Sequence, residues 1–123
     1  LFRSRNSSHI TEGSTVSVNY VSGSSQRIKK MELSRRTLKE GANVVIVDDF
    51  LKGGGTLNGM QSLINEFGAH LIGMTVFAEG QFSGQRLVED CTSLIKVTAE
   101  DGVNKKISAQ PGNYLAKVFG DQD

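Results

Sequence analysis

Tryptophan is absent, and proline and cysteine occur once each. A single thiol, Cys91, excludes an intramolecular disulfide framework and a cysteine-based metal cluster; it is expected as a buried, inert group, which suits a reducing cytoplasm. Long apolar runs are missing as well. The run Val44 to Val47 falls far short of the roughly 20 residues that a bilayer span requires, and no secretory signal is expected before the domain. Nor does one sign of charge dominate. With 14 Lys and Arg against 13 Asp and Glu, the net charge of +1 supplies no broad basic field for nucleic-acid phosphates, so this segment is not expected to grip DNA. His9 and His70 stand far apart with no companion at ligand spacing, so both read as structural and no metal site is expected.

What remains is an ordinary globular composition, 37% hydrophobic and 22% charged over 123 residues, enough for one domain with a core. The chain opens on Leu1 with no capping or linker signal, as expected for a piece of something longer.

Residues Thr15 to Val21 alternate, with Val16, Val18 and Tyr20 against Ser17 and Asn19, which predicts a half-buried strand with Tyr20 packing inward. Small polar residues at 22–25 then break it before a second strand at Arg27 to Leu33, giving a hairpin-like flap. Ser34 as N-cap and Gly41 as the left-handed end residue predict a short helix through Glu40. Val44 to Val47 form a strand expected to be covered on both faces. Leu57, Met60, Leu63, Ile64 and Phe67 recur at helical spacing, Gly68 ends that helix, and Leu71 to Ala78 is the next strand. The order strand, helix, strand is a βαβ unit and predicts a parallel sheet. Ser93 to Thr98 and Lys105 to Ala109 are expected to pair as a hairpin across Asp101-Gly102, followed by a turn at Pro111-Gly112 and an apolar ending.

The chemistry concentrates in VVIVDDFLKGGGT, Val44 to Thr56. Ligands of open α/β sheets bind beyond the carboxyl ends of the strands, where Asp48 and Asp49 fall. Two carboxylates are acceptors suited to a vicinal diol, provided the strand has begun to turn so that both face one ligand. Lys52, Gly53, Gly54, Gly55 and Thr56 lead into a helix, so backbone amides, a hydroxyl and a cation can meet a phosphate dianion. Phe50 could stack on a base or merely close the sheet end. Glu79, at another strand's carboxyl end, is a weaker candidate for the base side. Arg27, Lys29, Lys30, Arg35, Arg36 and Lys39, interspersed with Glu32 and Glu40, read as a solvated surface. The nucleotide P-loop pattern, Gly-x-x-x-x-Gly-Lys-Ser/Thr, is absent.

VVIVDDFLKGGGT resembles the phosphoribosyl-pyrophosphate (PRPP) motif of the type I phosphoribosyltransferase fold. The resemblance implies an α/β, parallel-sheet fold of that type, here the C-terminal portion of the domain, with a flexible flap at Thr11 to Ser25. It gives Asp48 and Asp49 the ribose hydroxyls, and Lys52, Gly53, Gly54, Gly55 and Thr56 the 5-phosphate. Lys52 departs from the catalytic members, which usually carry a small or hydroxyl residue there; it strengthens anion holding without evident use in glycosyl transfer.

The wider pattern TEGSTVSVNYVSGSS, DDFLKGGGT and NGM is similar to the bacterial purine operon repressors, over nearly the whole chain. That likeness implies a PRPP-sensing effector domain, without catalysis, in a homodimeric repressor of purine biosynthesis and transport genes. PRPP is then the effector, with Mg²⁺ bridging its pyrophosphate, and operator DNA is bound by an N-terminal winged-helix domain upstream. The alternatives are a catalytic purine phosphoribosyltransferase, making a nucleotide and pyrophosphate from a base and PRPP, and a plain nucleotide-binding scaffold.

Overall fold

The computed structural model describes residues 14–22, 26–81, 90–99 and 106–120. The chain divides into two compact units, residues 1–46 with 55–72 and residues 47–54 with 73–123. Among the described residues, six strands and two helices follow in the order β1 (Thr15–Val21), β2 (Ile28–Ser34), β3 (Asn43–Leu51), α1 (Gly55–Glu66), β4 (His70–Gln81), β5 (Thr92–Ala99), β6 (Ile107–Pro111) and α2 (Tyr114–Phe119). One sheet has the order β3-β4-β5-β6 and the other is the β1-β2 pair.

In the first unit, β1 and β2 form an antiparallel ribbon with Tyr20 opposite Lys29 and Val18 opposite Met31. Alternation puts Val16, Val18 and Tyr20 on one side, and the ribbon packs on α1. The approach is close at Gly59, where a Cβ would lie 2.6 Å from the Tyr20 Cβ, so the helix needs glycine there and Tyr20 is a packing residue as expected. The expected flap is therefore an anchored ribbon over its described strands; 11–13 and 23–25 lie outside the described residues. At its tip Ser22 is buried, its amide donates to the Arg27 carbonyl at 2.9 Å, and Gln26 takes a φ of 51°.

The helix expected from Ser34 to Glu40 does not form. β2 runs on to Ser34, and residues 35–37 make a single turn in which the Thr37 amide donates to the Ser34 carbonyl. The Arg35 amide donates instead to the Ser14 carbonyl of the ribbon, and seven residues gain too few internal bonds to offset helix nucleation. Gly41 is left-handed as anticipated, with φ 79°, but it closes this loop rather than a helix. The predicted amphipathic helix appears as α1, burying Leu57, Met60, Leu63 and Ile64. Gly68, φ 67°, ends it, and the Ala69 amide returns to the Ile64 carbonyl.

In the second unit, β4 and β5 are parallel, with Glu79 beside Lys96, whereas β5 and β6 are antiparallel, with Val97 opposite Ala109. The hairpin partners are those expected; the Asp101-Gly102 turn lies outside the described residues. Asn113 precedes α2 but makes no capping bond. Its side chain acts as a strand edge, Oδ1 accepting from the Ser93 amide at 2.8 Å and Nδ2 donating to the Cys91 carbonyl at 2.9 Å. Gly112 is needed beside it, because a Cβ would collide with the Ser93 carbonyl. Cys91 is buried and is not in a disulfide.

One expectation about β3 fails. Ile46 is buried, but Val45 and Val47 are 52% and 73% exposed, so the run is not covered on both faces among the described residues. A continuous apolar strand calls for a layer on each side, and only one helix longer than two turns is described. No described helix is long and apolar enough to cross a membrane.

Candidate functional site

β3 does not stop at Val47 but continues through Leu51, so Asp48, Asp49 and Phe50 belong to the strand. Perfect alternation would send the two carboxylates to opposite faces. The strand has not turned at these two residues, and each carboxylate also accepts from the next peptide: Asp48 Oδ1 from the Asp49 amide at 2.9 Å, and Asp49 Oδ1 from the Phe50 amide at 2.7 Å. These bonds orient both acids locally while each spends a single oxygen on them. Partial burial lifts the Asp48 carboxyl above the ordinary aspartate range, against the pull of the Asp49 amide, and the neighbouring Asp49 charge adds to the rise.

Leu51, not Phe50, plugs the end of the strand; Leu51 is buried and Phe50 is 41% exposed. The chain then turns through Lys52, Gly53 and Gly54. The three glycines that follow the lysine are not equivalent. Gly54 has φ 88°, a conformation L side chains resist, whereas a Cβ on Gly53 would meet nothing within 4 Å, so the space beside Gly53 is open to a ligand.

Gly55 and Thr56 are the first two residues of α1, and the first turn carries no acidic residue. Helices ordinarily gain stability from Asp or Glu at that end; here the positive end of the helix dipole is left for an external anion. Lys52 is exposed at the rim of the turn, where a cation is accessible to phosphate.

Glu79 corrects the base-side expectation. It is 2% exposed, Ser93 Oγ donates to its Oε1 at 2.7 Å, and the Lys96 ammonium lies 3.8 Å from the same oxygen. A carboxylate so enclosed holds β4 to β5 rather than facing a ligand. Sequence could not separate it from Asp48, since both are acids near strand ends. His70 is exposed at the start of β4; His9 lies outside the described residues. Among the described residues no group of three or more His, Cys, Asp and Glu could hold a metal.

An acidic strand end feeding a glycine turn and an anion-ready helix, on a mixed α/β sheet, defines a phosphoribosyltransferase-type fold. Residues 1–112 match the phosphoribosyl transferase domain family, and the chain belongs to it. Among its relatives, the purine biosynthesis transcriptional activator PurR of Lactococcus lactis is 51% identical over 92% of this chain, which spans 40% of that protein. The purine biosynthesis transcriptional repressor PurR of Bacillus subtilis is 48% identical over 90% of this chain, which spans 39% of that protein. Among solved structures, adenine phosphoribosyltransferase from Thermoanaerobacter pseudethanolicus superposes with a TM-score of 0.61 at 28% identity, covering 72% of this chain and 52% of that one.

Proposed function

We propose that this segment is the PRPP-sensing effector domain of a transcription regulator of purine biosynthesis and transport genes. The observation that carries the reading is the stretch Asp48 to Thr56. The two self-oriented carboxylates suit the ribose diol, and the Gly53–Thr56 amides, the Thr56 hydroxyl and Lys52 suit the 5-phosphate. Phe50 is accessible to a purine base. Support for a regulatory role comes from the two PurR relatives, one named an activator and one a repressor. In this reading the protein represses as a homodimer and binds operator DNA through a part outside this segment.

Mg²⁺ fits only as an ion held chiefly by the ligand's own pyrophosphate oxygens. Such an ion would neutralise the pyrophosphate, and a carboxylate could contribute at most a ligand or two. The residues of this chain bind and orient; they perform no bond-breaking step in this reading.

Regulation follows from linkage. A ligand that prefers the conformation weak for DNA lowers DNA affinity by the same factor by which DNA lowers its own. Operator binding by the full-length protein, titrated with PRPP at fixed salt, should weaken; unchanged binding at saturating PRPP refutes the effector role. The likeness to adenine phosphoribosyltransferase favours one competing reading, a catalyst. Release of pyrophosphate from PRPP in the presence of adenine, guanine, hypoxanthine or xanthine would establish it instead.

A further inference from the structure

The net charge of +1 conceals a local imbalance. Between Gln26 and Glu40 stand six basic residues, Arg27, Lys29, Lys30, Arg35, Arg36 and Lys39, against two acids, Glu32 and Glu40. All six are exposed, and among the described residues only Lys30 has an acidic partner, Glu32. Two lysines elsewhere are matched: Lys96 lies beside Glu79, and Lys117 beside Asp90. The sequence reading of this run as a solvated face with interspersed acids therefore understates it, because the acids neutralise one of the six.

The geometry matters as much as the count. Arg27, Lys29 and Lys30 sit at one end of β2, and Arg35, Arg36 and Lys39 lie beyond the other end. At about 3.3 Å per residue the two groups are roughly 20 Å apart along an extended strand. A small anion would meet one group and leave the other. Alternation puts Lys29 on the Tyr20 side and Lys30 on the face away from α1, so a polymer of regularly spaced phosphates meets both groups by running along the outer edge of β2, which packing on α1 holds in place.

We propose that the β1–β2 ribbon with its following turn is an auxiliary, sequence-independent contact to the phosphate backbone of duplex DNA. The choice of DNA rests on the regulator reading above. The exposed pair Val21 and Ile28, cross-strand neighbours beside these basic residues, makes an anionic lipid surface the competing partner. Each phosphate neutralised releases condensed counterions, so the contact is read in the salt dependence of affinity rather than in base preference.

The test uses the full-length protein and a duplex of about 30 base pairs with no operator sequence, the affinity being followed by anisotropy across a salt series. Four changes together, Lys29→Ser, Lys30→Ser, Arg35→Ser and Arg36→Ser, should flatten the slope of log affinity against log salt by about 3 and weaken low-salt binding roughly tenfold or more. The milder pair Arg35→Gln with Arg36→Gln should give about half the slope change. An unchanged slope in both variants overturns the proposal. Loss of adsorption to phosphatidylserine vesicles with duplex binding intact overturns it too. PRPP calorimetry on the same proteins reports the fold of the variants. A wild type that ignores PRPP would refute the effector role while leaving the salt slopes to decide this contact.

Discussion

Asp48 and Glu79 are both acids near the carboxyl ends of strands in the same sheet, and they have opposite fates. Glu79 is enclosed, its Oε1 shared by the Ser93 hydroxyl and the Lys96 ammonium across the parallel β4–β5 pair. Asp48 is half-buried beside another carboxylate, and its carboxylate accepts from the next backbone amide. A buried acid with good partners stabilises the structure it sits in. Two adjacent acids with no cation paired to them among the described residues oppose folding slightly and gain most when donors arrive from outside. The difference separates a structural carboxylate from a ligand-seeking one by environment, since residue type and strand position are nearly the same.

That contrast can be broken at three places. The largest effect is expected from Asp48→Asn with Asp49→Asn, which keeps shape and removes charge. Two charge-assisted hydrogen bonds to a diol are worth about 3–6 kcal/mol together, so PRPP affinity by calorimetry should fall by two or more orders of magnitude with the circular dichroism spectrum retained. Unchanged affinity would sink the diol assignment. Next comes Glu79→Ala, which strands the buried Ser93 hydroxyl and removes the partner of Lys96. A loss of about 2–3 kcal/mol in urea unfolding is expected, with PRPP affinity of the folded protein little altered. A variant with normal stability and lost PRPP affinity would return Glu79 to the site.

The smallest effect concerns pH. The Asp48 carboxyl is raised in the folded protein, so the folded state keeps its proton to higher pH than the unfolded chain. Its contribution is most favourable below the unfolded aspartate value and is lost as pH rises through the folded value. Asp48→Asn alone should therefore raise stability at neutral pH, by less than about 1 kcal/mol because the group is half in solvent. Ligand binding has the opposite sign: it needs the ionised acid, so PRPP affinity should decline as pH falls through the raised Asp48 value. Thermal melts and calorimetry over the same pH series check both, and a stability optimum that moves upward with pH at this group would contradict the assignment.

Much of the architecture was legible in the order of residues. The period-2 run of Thr15 to Val21, the 3.6-residue spacing of Leu57 to Phe67 and the glycine at 68 each name an element, because local geometry alone sets those periods. Ser34 to Glu40 was misread, since a good N-cap and a left-handed glycine are as compatible with a turn as with a helix. What decided between them was a bond from Arg35 to Ser14, twenty-one residues back. Asn113 illustrates the same limit, for its side chain completes β5 instead of capping α2.

By itself the sequence determined the strand, the glycine turn and the helix of Val44 to Thr56, since glycine's freedom at φ 88° and the helical spacing after it depend only on neighbouring residues. Tertiary structure alone decided which acids are available. Burial and long-range partners, a serine fourteen residues on for Glu79 and, among the described residues, the adjacent amide for Asp48, set the electrostatic environment that residue type leaves open. It also decided that, among the described residues, one of the six basic residues between Gln26 and Glu40 has an acidic partner, because an ion pair depends on where side chains meet in space.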